Sequence, residues 1–424
     1  METMEYSRLN EKVSRQTLSN GLEVFVVHRP FHAKQYAFFT THYGGLDLRF
    51  CKDGIWKETP AGIAHYLEHK MFDTEHDSAT QKLAKNGAVE NAFTAGDMTA
   101  YHFECTENFY DSLRVLLDFV SVPYFTQESV EKEQGIIAQE IRMSDDDPEW
   151  RNYYNILQCL YEKHPLRTPV VGTVESISRI TPDMLYDCHK AFYTPSNMTL
   201  VCIGSLDIHR ICAIAEEILP RESGSPIMRD YGEIESLSPA AGSMEMQMEV
   251  AMPMFLTGYK CTPPDTGEEI LRENIIGNMA CDVLFGDSSP LFTRLYEEGH
   301  INGSLGGSYD VQPRAAHLYV GGDAKDPHYV TREIEAEAKR LVTEGIDDAF
   351  YHQIRRATYG QMIRSLNSFE DTAVSIADGH FRGFDYYSFP EVFDSITKQD
   401  IEEFLSRTIV PEHSAISVIY PLTH

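Results

Sequence analysis

No stretch of about 18 apolar residues occurs in the 424-residue sequence, so no helical membrane span is expected. No C-x-x-C pair occurs either: eight cysteines, at 51, 105, 159, 188, 202, 212, 261 and 281, are scattered, several in apolar runs such as Val201-Cys202-Ile203. They read as buried free thiols in a reducing cytoplasm. Basic side chains are scarce, 36 Lys and Arg against 65 Asp and Glu, for a formal net charge of −29. That balance excludes a phosphate-tracking groove for nucleic acid and disfavours anionic membranes. Most of the acid excess is expected to be solvated surface, the alternative being a cavity that attracts basic peptides. Met1 to Lys12 is polar and lacks the apolar core of an export signal, which predicts a cytoplasmic protein.

What is present is a globular composition, 42% hydrophobic and 11% aromatic, which rules out a disordered chain. The length predicts two or three domains. Strand-like runs occupy Leu22 to His28, after the turn signal Asn20-Gly21, and Tyr36 to Tyr43, before Gly44-Gly45. Helical patterns follow at 61–72, after Pro60, and at 77–86, between Asp77-Ser78 and Asn86-Gly87. Strands are expected at 88–94 and 99–105, helices at 127–143, 148–162 and Pro182 to Phe192, and a strand from Met198 to Ile203. Interleaved helices and hairpin-like strands indicate an α+β fold with antiparallel-rich sheets packed against helices.

The second half repeats the first. Ile180-Thr181 recurs at Ile396-Thr397, Pro195 at Pro411, and the strand 198–203 at 414–419, all offset by 216 residues. Residues 223–243 are turn-rich and lack apolar periodicity, which predicts a linker between homologous domains at 1–222 and 244–424.

The chemistry concentrates in Gly62-Ile63-Ala64-His65-Tyr66-Leu67-Glu68-His69-Lys70-Met71-Phe72. His65 and His69, four residues apart on a helix, present their imidazoles on one face, a spacing that lets both hold one zinc ion. Glu68 sits on the same side, placed to act as a general base on water at the metal without ligating it. Composition gives roughly 0.1 chance matches to H-x-x-[D/E]-H in such a chain, so the motif alone is suggestive. A catalytic zinc needs a third protein ligand. The 127–143 helix offers Glu133 and Glu140, two turns apart on one face amid Ile136, Ile137 and Ile141; an unpaired carboxylate beside Ile141 would be costly, and a metal would offset that. Glu133 could instead orient a histidine, and a plain surface helix remains an equal alternative on spacing alone.

H-x-x-E-H is the inverted zinc signature, and the sequence resembles the pitrilysin/insulinase family of zinc metallopeptidases. Five stretches carry the likeness: Asn20-Gly21-Leu22, Gly62 to Phe72, Asn91-Ala92-Phe93-Thr94 with Thr99 and Tyr101, Glu133 to Met143 with Asp147-Pro148, and Tyr193 to Met198. The length is similar to the small-subunit members, which include mitochondrial processing peptidase and bacterial relatives. The resemblance implies one zinc per chain held by His65, His69 and Glu140, Glu68 as base and Glu133 as supporting acid. It implies Asn91, Ala92, Phe93 and Thr94 as an edge strand that binds peptide substrate by main-chain hydrogen bonds. It further implies two homologous domains, with two chains closing as a clamshell.

One departure stands out. Second domains of this family usually show L-R-x-x-x-x-x-x-Y, whose Arg and Tyr hold substrate beside the zinc. In Leu291 to Ser304, Tyr296 takes the Arg place and Gly303 the Tyr place, while Arg294 lies two residues early, about 200° around a helix. The expected function is therefore a zinc endopeptidase cutting small unfolded peptides in a closed chamber, as the catalytic half of a heterodimer whose homologous partner lacks the zinc motif but supplies Arg and Tyr. The alternatives are a non-catalytic scaffold and a peptide-binding subunit of a processing complex.

Overall fold

The computed structural model describes residues 1–73 and 78–422. Asp77, expected to open the second helix, and His76 lie outside the described residues. Among the described residues the strands are β1 (Glu2–Tyr6), β2 (Glu11–Thr17), β3 (Glu23–His28), β4 (Gln35–Thr41), β5 (Arg49–Lys52), β6 (Ile55–Glu58), β7 (Val89–Thr94), β8 (Thr99–Cys105), β9 (Met198–Gly204), β10 (Ile227–Arg229), β11 (Ser243–Met248), β12 (Met254–Cys261), β13 (Gly306–Gln312), β14 (Ala315–Asp323) and β15 (Ser414–Pro421). They form a seven-stranded sheet of order β1-β2-β3-β9-β4-β8-β7, a three-stranded sheet β10-β5-β6 and a five-stranded sheet β11-β15-β12-β14-β13.

The internal repeat is a topological fact. The run β3-β9-β4-β8-β7 and the whole sheet β11-β15-β12-β14-β13 share one plan: a parallel first pair, then three antiparallel pairs. The residues at offset 216 do the same local work in each copy. Thr181 and Thr397 accept a backbone N–H at the starts of helices Pro182–Phe192 and Lys398–Thr408, and Pro195 and Pro411 open the short turns that feed β9 and β15. The N-terminal strands β1 and β2 and the hairpin β5-β6 escaped the sequence pattern. Their residues are mostly polar and half-exposed, so little apolar alternation marks them.

The chain divides into two compact units, Met1–Ile141 with Pro169–Tyr231 and Ser365–Phe381, and Arg142–Thr168 with Gly232–Arg364 and Arg382–His424. Two segments thus cross the division at residue 222. In the second unit, helix Pro148–Leu160 packs on β12, where Gly258 leaves room for Ile156 and Leu160; a Cβ there would meet both at 2.8 Å. In the first unit, helix Phe369–Arg382 lies on the large sheet, with His380 against Phe25 at 5.8 Å and Phe381 stacked on His42 at 4.6 Å. Each crossing helix carries an apolar stripe that the sheet of its unit buries, a long-range choice invisible to local periodicity.

The expected linker at 223–243 is not bare. Its β10 pairs with β5, and Arg229 at the end of β10 and Tyr231 just beyond it engage the buried Asp47 at 3.1 and 2.9 Å. In the second unit Glu235 accepts the N–H groups of Glu162, Lys163 and His164 at 2.8–2.9 Å and pairs with the buried Lys260. All eight cysteines are free and buried, as expected. Among the described residues no helix is long and apolar enough to cross a membrane.

Burial acts to raise the Glu235 carboxyl, but Lys260 and the three N–H groups outweigh it and hold the group down at about 2, below its ordinary 4.5. A depressed acid stabilises the fold above its unfolded pKa, and that stabilisation fades as pH falls through the folded value. Glu235→Gln is accordingly expected to cost about 3 kcal/mol at pH 7. The gap between wild type and variant should close as pH falls from about 4.5 towards 2, read by urea unfolding across that range.

Candidate metal centre

The helix Ile63–Met71 starts where two glycines meet. Gly62 is left-handed, with φ of 90°, and a Cβ on it would lie 2.6 Å from the Val171 carbonyl; Gly172, also left-handed, presses on the Ala61 carbonyl in return. Ser176 Oγ donates to that Ala61 carbonyl at 2.7 Å. The helix is almost wholly buried, which fits its run of Ile63, Ala64, Tyr66, Leu67 and Met71. Two further residues of the motif tie it to helix Gln127–Asp145: the Tyr66 hydroxyl donates to the Val130 carbonyl, and buried Lys70 donates to Asp73 and, at 3.3 Å, to the Ser129 carbonyl. Sequence reasoning missed both; a lysine inside an apolar helix was the available signal.

This docking sets Glu133 and Glu140 against the histidines. His69 Nδ1 lies 3.0 Å from Glu133 Oε1. His65 Nε2 is 3.4 Å from Glu140 Oε1 and His69 Nε2 is 3.5 Å from Glu140 Oε2. One donor atom from each of His65, His69 and Glu140 falls within 4.8 Å of the others, the only such cluster among the described residues. The residues fit zinc. Tetrahedral zinc with bonds of about 2.0–2.1 Å spaces its ligands about 3.4 Å apart, whereas hydrogen bonds of that length are poor. Two nitrogens and one carboxylate oxygen match its donor preference and leave a fourth position free.

Charges within the cluster support one another. The His69 hydrogen bond lowers Glu133, and the His65 contact lowers Glu140. For His69, burial pulls downward, but the Glu133 bond and the charges of Glu68 and Glu140 win and raise it. Glu68 is the exception, since burial pushes its carboxyl up against the lowering effects of His65 and the Thr94 bond. Glu140 departs from the expected buried setting. Ile137 and Ile141 are buried, but Ile136 points outward and Glu140 keeps 41% exposure on the open face, so its desolvation is modest.

The strand expected to bind substrate is the edge of the large sheet, because β7 pairs with β8 alone. Ala95 N–H donates to Met98 O at the hairpin end, so main-chain bonding to β8 falls at Phe93 and Asn91, and the groups of Glu90, Ala92 and Thr94 face away. Ala92 N–H is met by its neighbour's Asn91 Oδ1 at 3.0 Å. Thr94 Oγ1 donates to Glu68 Oε2 at 2.8 Å, joining the strand to the carboxylate. Behind them the hydroxyls of Tyr101 and Tyr193 are 2.8 Å apart. In the second unit, Arg294 is ion-paired to Glu333 at 2.6 Å, Tyr296 is exposed, and Gly303 lies outside any helix or strand.

Residues 52–174 match the family described as insulinase, peptidase family M16, and residues 179–358 match the M16 inactive domain. The chain is 35% identical, over 99% of both chains, to a Bacillus subtilis protein named uncharacterized zinc protease YmfH. The crystal structure of an M16-like peptidase from Alicyclobacillus acidocaldarius superposes with a TM-score of 0.93 at 32% identity, covering 97% of this chain and 99% of that one. Pitrilysin shares the fold, with a TM-score of 0.73 at 18% identity over 97% of this chain and 45% of its own.

The roles separate by substitution. His69→Ala or Glu140→Gln is expected to abolish stoichiometric zinc binding. Glu133→Gln, which removes only the bond to His69 Nδ1, should weaken zinc by about 10–100-fold. Glu68→Gln should retain the metal; chelator competition with elemental analysis measures all four.

Proposed function

Because the chain belongs to the insulinase family of zinc peptidases, family M16, we propose that it is a zinc-dependent endopeptidase acting on small unfolded peptides. The observation that carries this reading is the convergence of His65, His69 and Glu140 with a buried acid, Glu68, beside them. Zinc held there supplies Lewis acidity toward water and toward a peptide carbonyl. Glu68 takes the water proton as the carbonyl is attacked and returns it to the leaving amine. Thr94 fixes the Glu68 carboxylate through its hydroxyl, and Glu133 fixes the His69 ring. Main-chain groups of Ala92 and Thr94 take an extended peptide by strand addition, which reads backbone more than side chains and suits loose sequence preference.

The substrate-holding Arg and Tyr expected in the second half are replaced by Tyr296 and Gly303. We read this as an obligate heterodimer, in which a homologous chain without the zinc motif provides both groups, closing a chamber in the cytoplasm. The same replacement favours a second reading, a scaffold or peptide-binding subunit of a processing complex.

Quenched-fluorescence peptides, offered to the chain alone and co-expressed with related chains lacking H-x-x-E-H, separate these readings. Cleavage is expected only from the pair, and to fall by about 10²–10⁴-fold in Glu68→Gln with zinc retained. Full activity of the lone chain overturns the heterodimer, and zinc-loaded pairs that cut nothing favour the scaffold.

A further inference from the structure

The large sheet has a second face. Asn91, His102, Phe38, Val201 and Phe25 stand in one cross-strand row, so they project to the side opposite the Ile63–Met71 helix, which Thr94 meets. On that far side a cavity of about 400 Å³ opens beside β7, between Tyr36, His102 and Asn91 of the sheet and the start of helix Phe369–Arg382. Its lining lies wholly within the first unit. Two polar atoms of the cavity-lining residues, Tyr36 Oη and His102 Nε2, are buried without a hydrogen-bond partner, in side chains only 2% and 6% exposed. Buried polar atoms of this kind normally have partners.

The surrounding chemistry selects the missing partner. Burial lowers His102, so its ring is neutral near pH 7 and Nε2 can accept a hydrogen bond, as can the tyrosine oxygen. Glu370 is the strongest charge acting on both rings, and Glu104 adds to it. The one lysine of the lining, Lys34, is already paired with Glu104 and lies over the Phe369 ring at 5.4 Å. The Glu370 carboxylate beside these two acceptors favours a cation with several N–H donors. Phe369 and the exposed Val89 offer apolar surface for an aliphatic stem leading to it.

We propose that this cavity is a subsite for one Lys or Arg side chain of a peptide lying along β7. The inference rests on the strand-addition reading above. An added strand sends alternate side chains to opposite faces, so residues beside Thr94 turn to Glu68 while those beside Val89 and Asn91 turn to the cavity. Asn91 precedes Thr94 by three residues, about 10 Å, which places the preferred basic residue about three positions from the one beside Thr94.

Zinc-loaded Glu68→Gln protein, with its partner chain where one is required, is titrated with fluorescent peptides in which a single lysine moves through an alanine-serine background, and binding is read by anisotropy. One position is expected to bind about tenfold tighter than the rest, and Glu370→Lys, shown folded by its melting curve, to flatten that peak. A flat profile in the parent, a peak that survives Glu370→Lys, or an equal gain at every position that vanishes with salt overturns the subsite. A peaked profile with a wild-type enzyme that cleaves nothing removes the peptidase reading and leaves the subsite standing. Cleavage without a peak does the reverse, and absence of all peptide binding removes both.

Discussion

The metal cluster depends on how one buried helix docks on another. His65, Glu68 and His69 are placed by their own helix, but Glu133 and Glu140 arrive from some 64 to 75 residues away, and only the packing of Ile63–Met71 against Gln127–Asp145 brings them within reach. Tyr66 and Lys70 secure that packing by donating to the Val130 and Ser129 carbonyls, one turn before Glu133. They interleave with the two histidines along a single helix, so one face of the motif carries the imidazoles and the next fixes where Glu140 stands. A hydrogen-bonded lysine fully inside a protein is rare, and here it serves as a register pin.

The same contact explains what could be read from the sequence. The histidine pair and Glu68 were legible because helical spacing alone aligns them. Glu140 was legible only through family resemblance, since the local pattern allowed a plain acidic helix, and the argument from its apolar neighbours erred because Ile136 faces outward and leaves the carboxylate half-solvated. Strands β3, β4, β7, β8 and β9 fell within two residues of expectation, their apolar runs bounded by clear turns. The polar strands β1, β2, β5 and β6 did not show, and neither did the cavity behind β7, which is assembled from parts of the chain as distant as Lys34 and Glu370. Tertiary juxtaposition, unlike periodicity, leaves no mark on neighbouring residues.

The edge strand joins the two chemistries of the first unit. Through Thr94 it touches Glu68 on one face, and through Asn91 it borders the cavity on the other. The pleat allows this because successive side chains diverge while the main chain stays free along the rim. Recognition of backbone and of one side chain can then be separate properties of a single six-residue element. An edge strand of this kind is normally an aggregation hazard. Here Glu90 sits on it, and the Asn91 side chain occupies the Ala92 N–H, so its hydrogen-bonding edge is partly closed when nothing is bound.

The two crossing helices bear on the chain's history and its handling. Helix Pro148–Leu160 completes the unit built mainly from the second half, and helix Phe369–Arg382 completes the unit built mainly from the first. The repeat seen at offset 216 therefore does not divide the protein into separable modules. A cut at the midpoint would strip a covering helix from each sheet and bare an apolar face on both, so neither fragment carries a finished core. Each half of the sequence thus supplies a helix that covers the sheet built mainly from the other half.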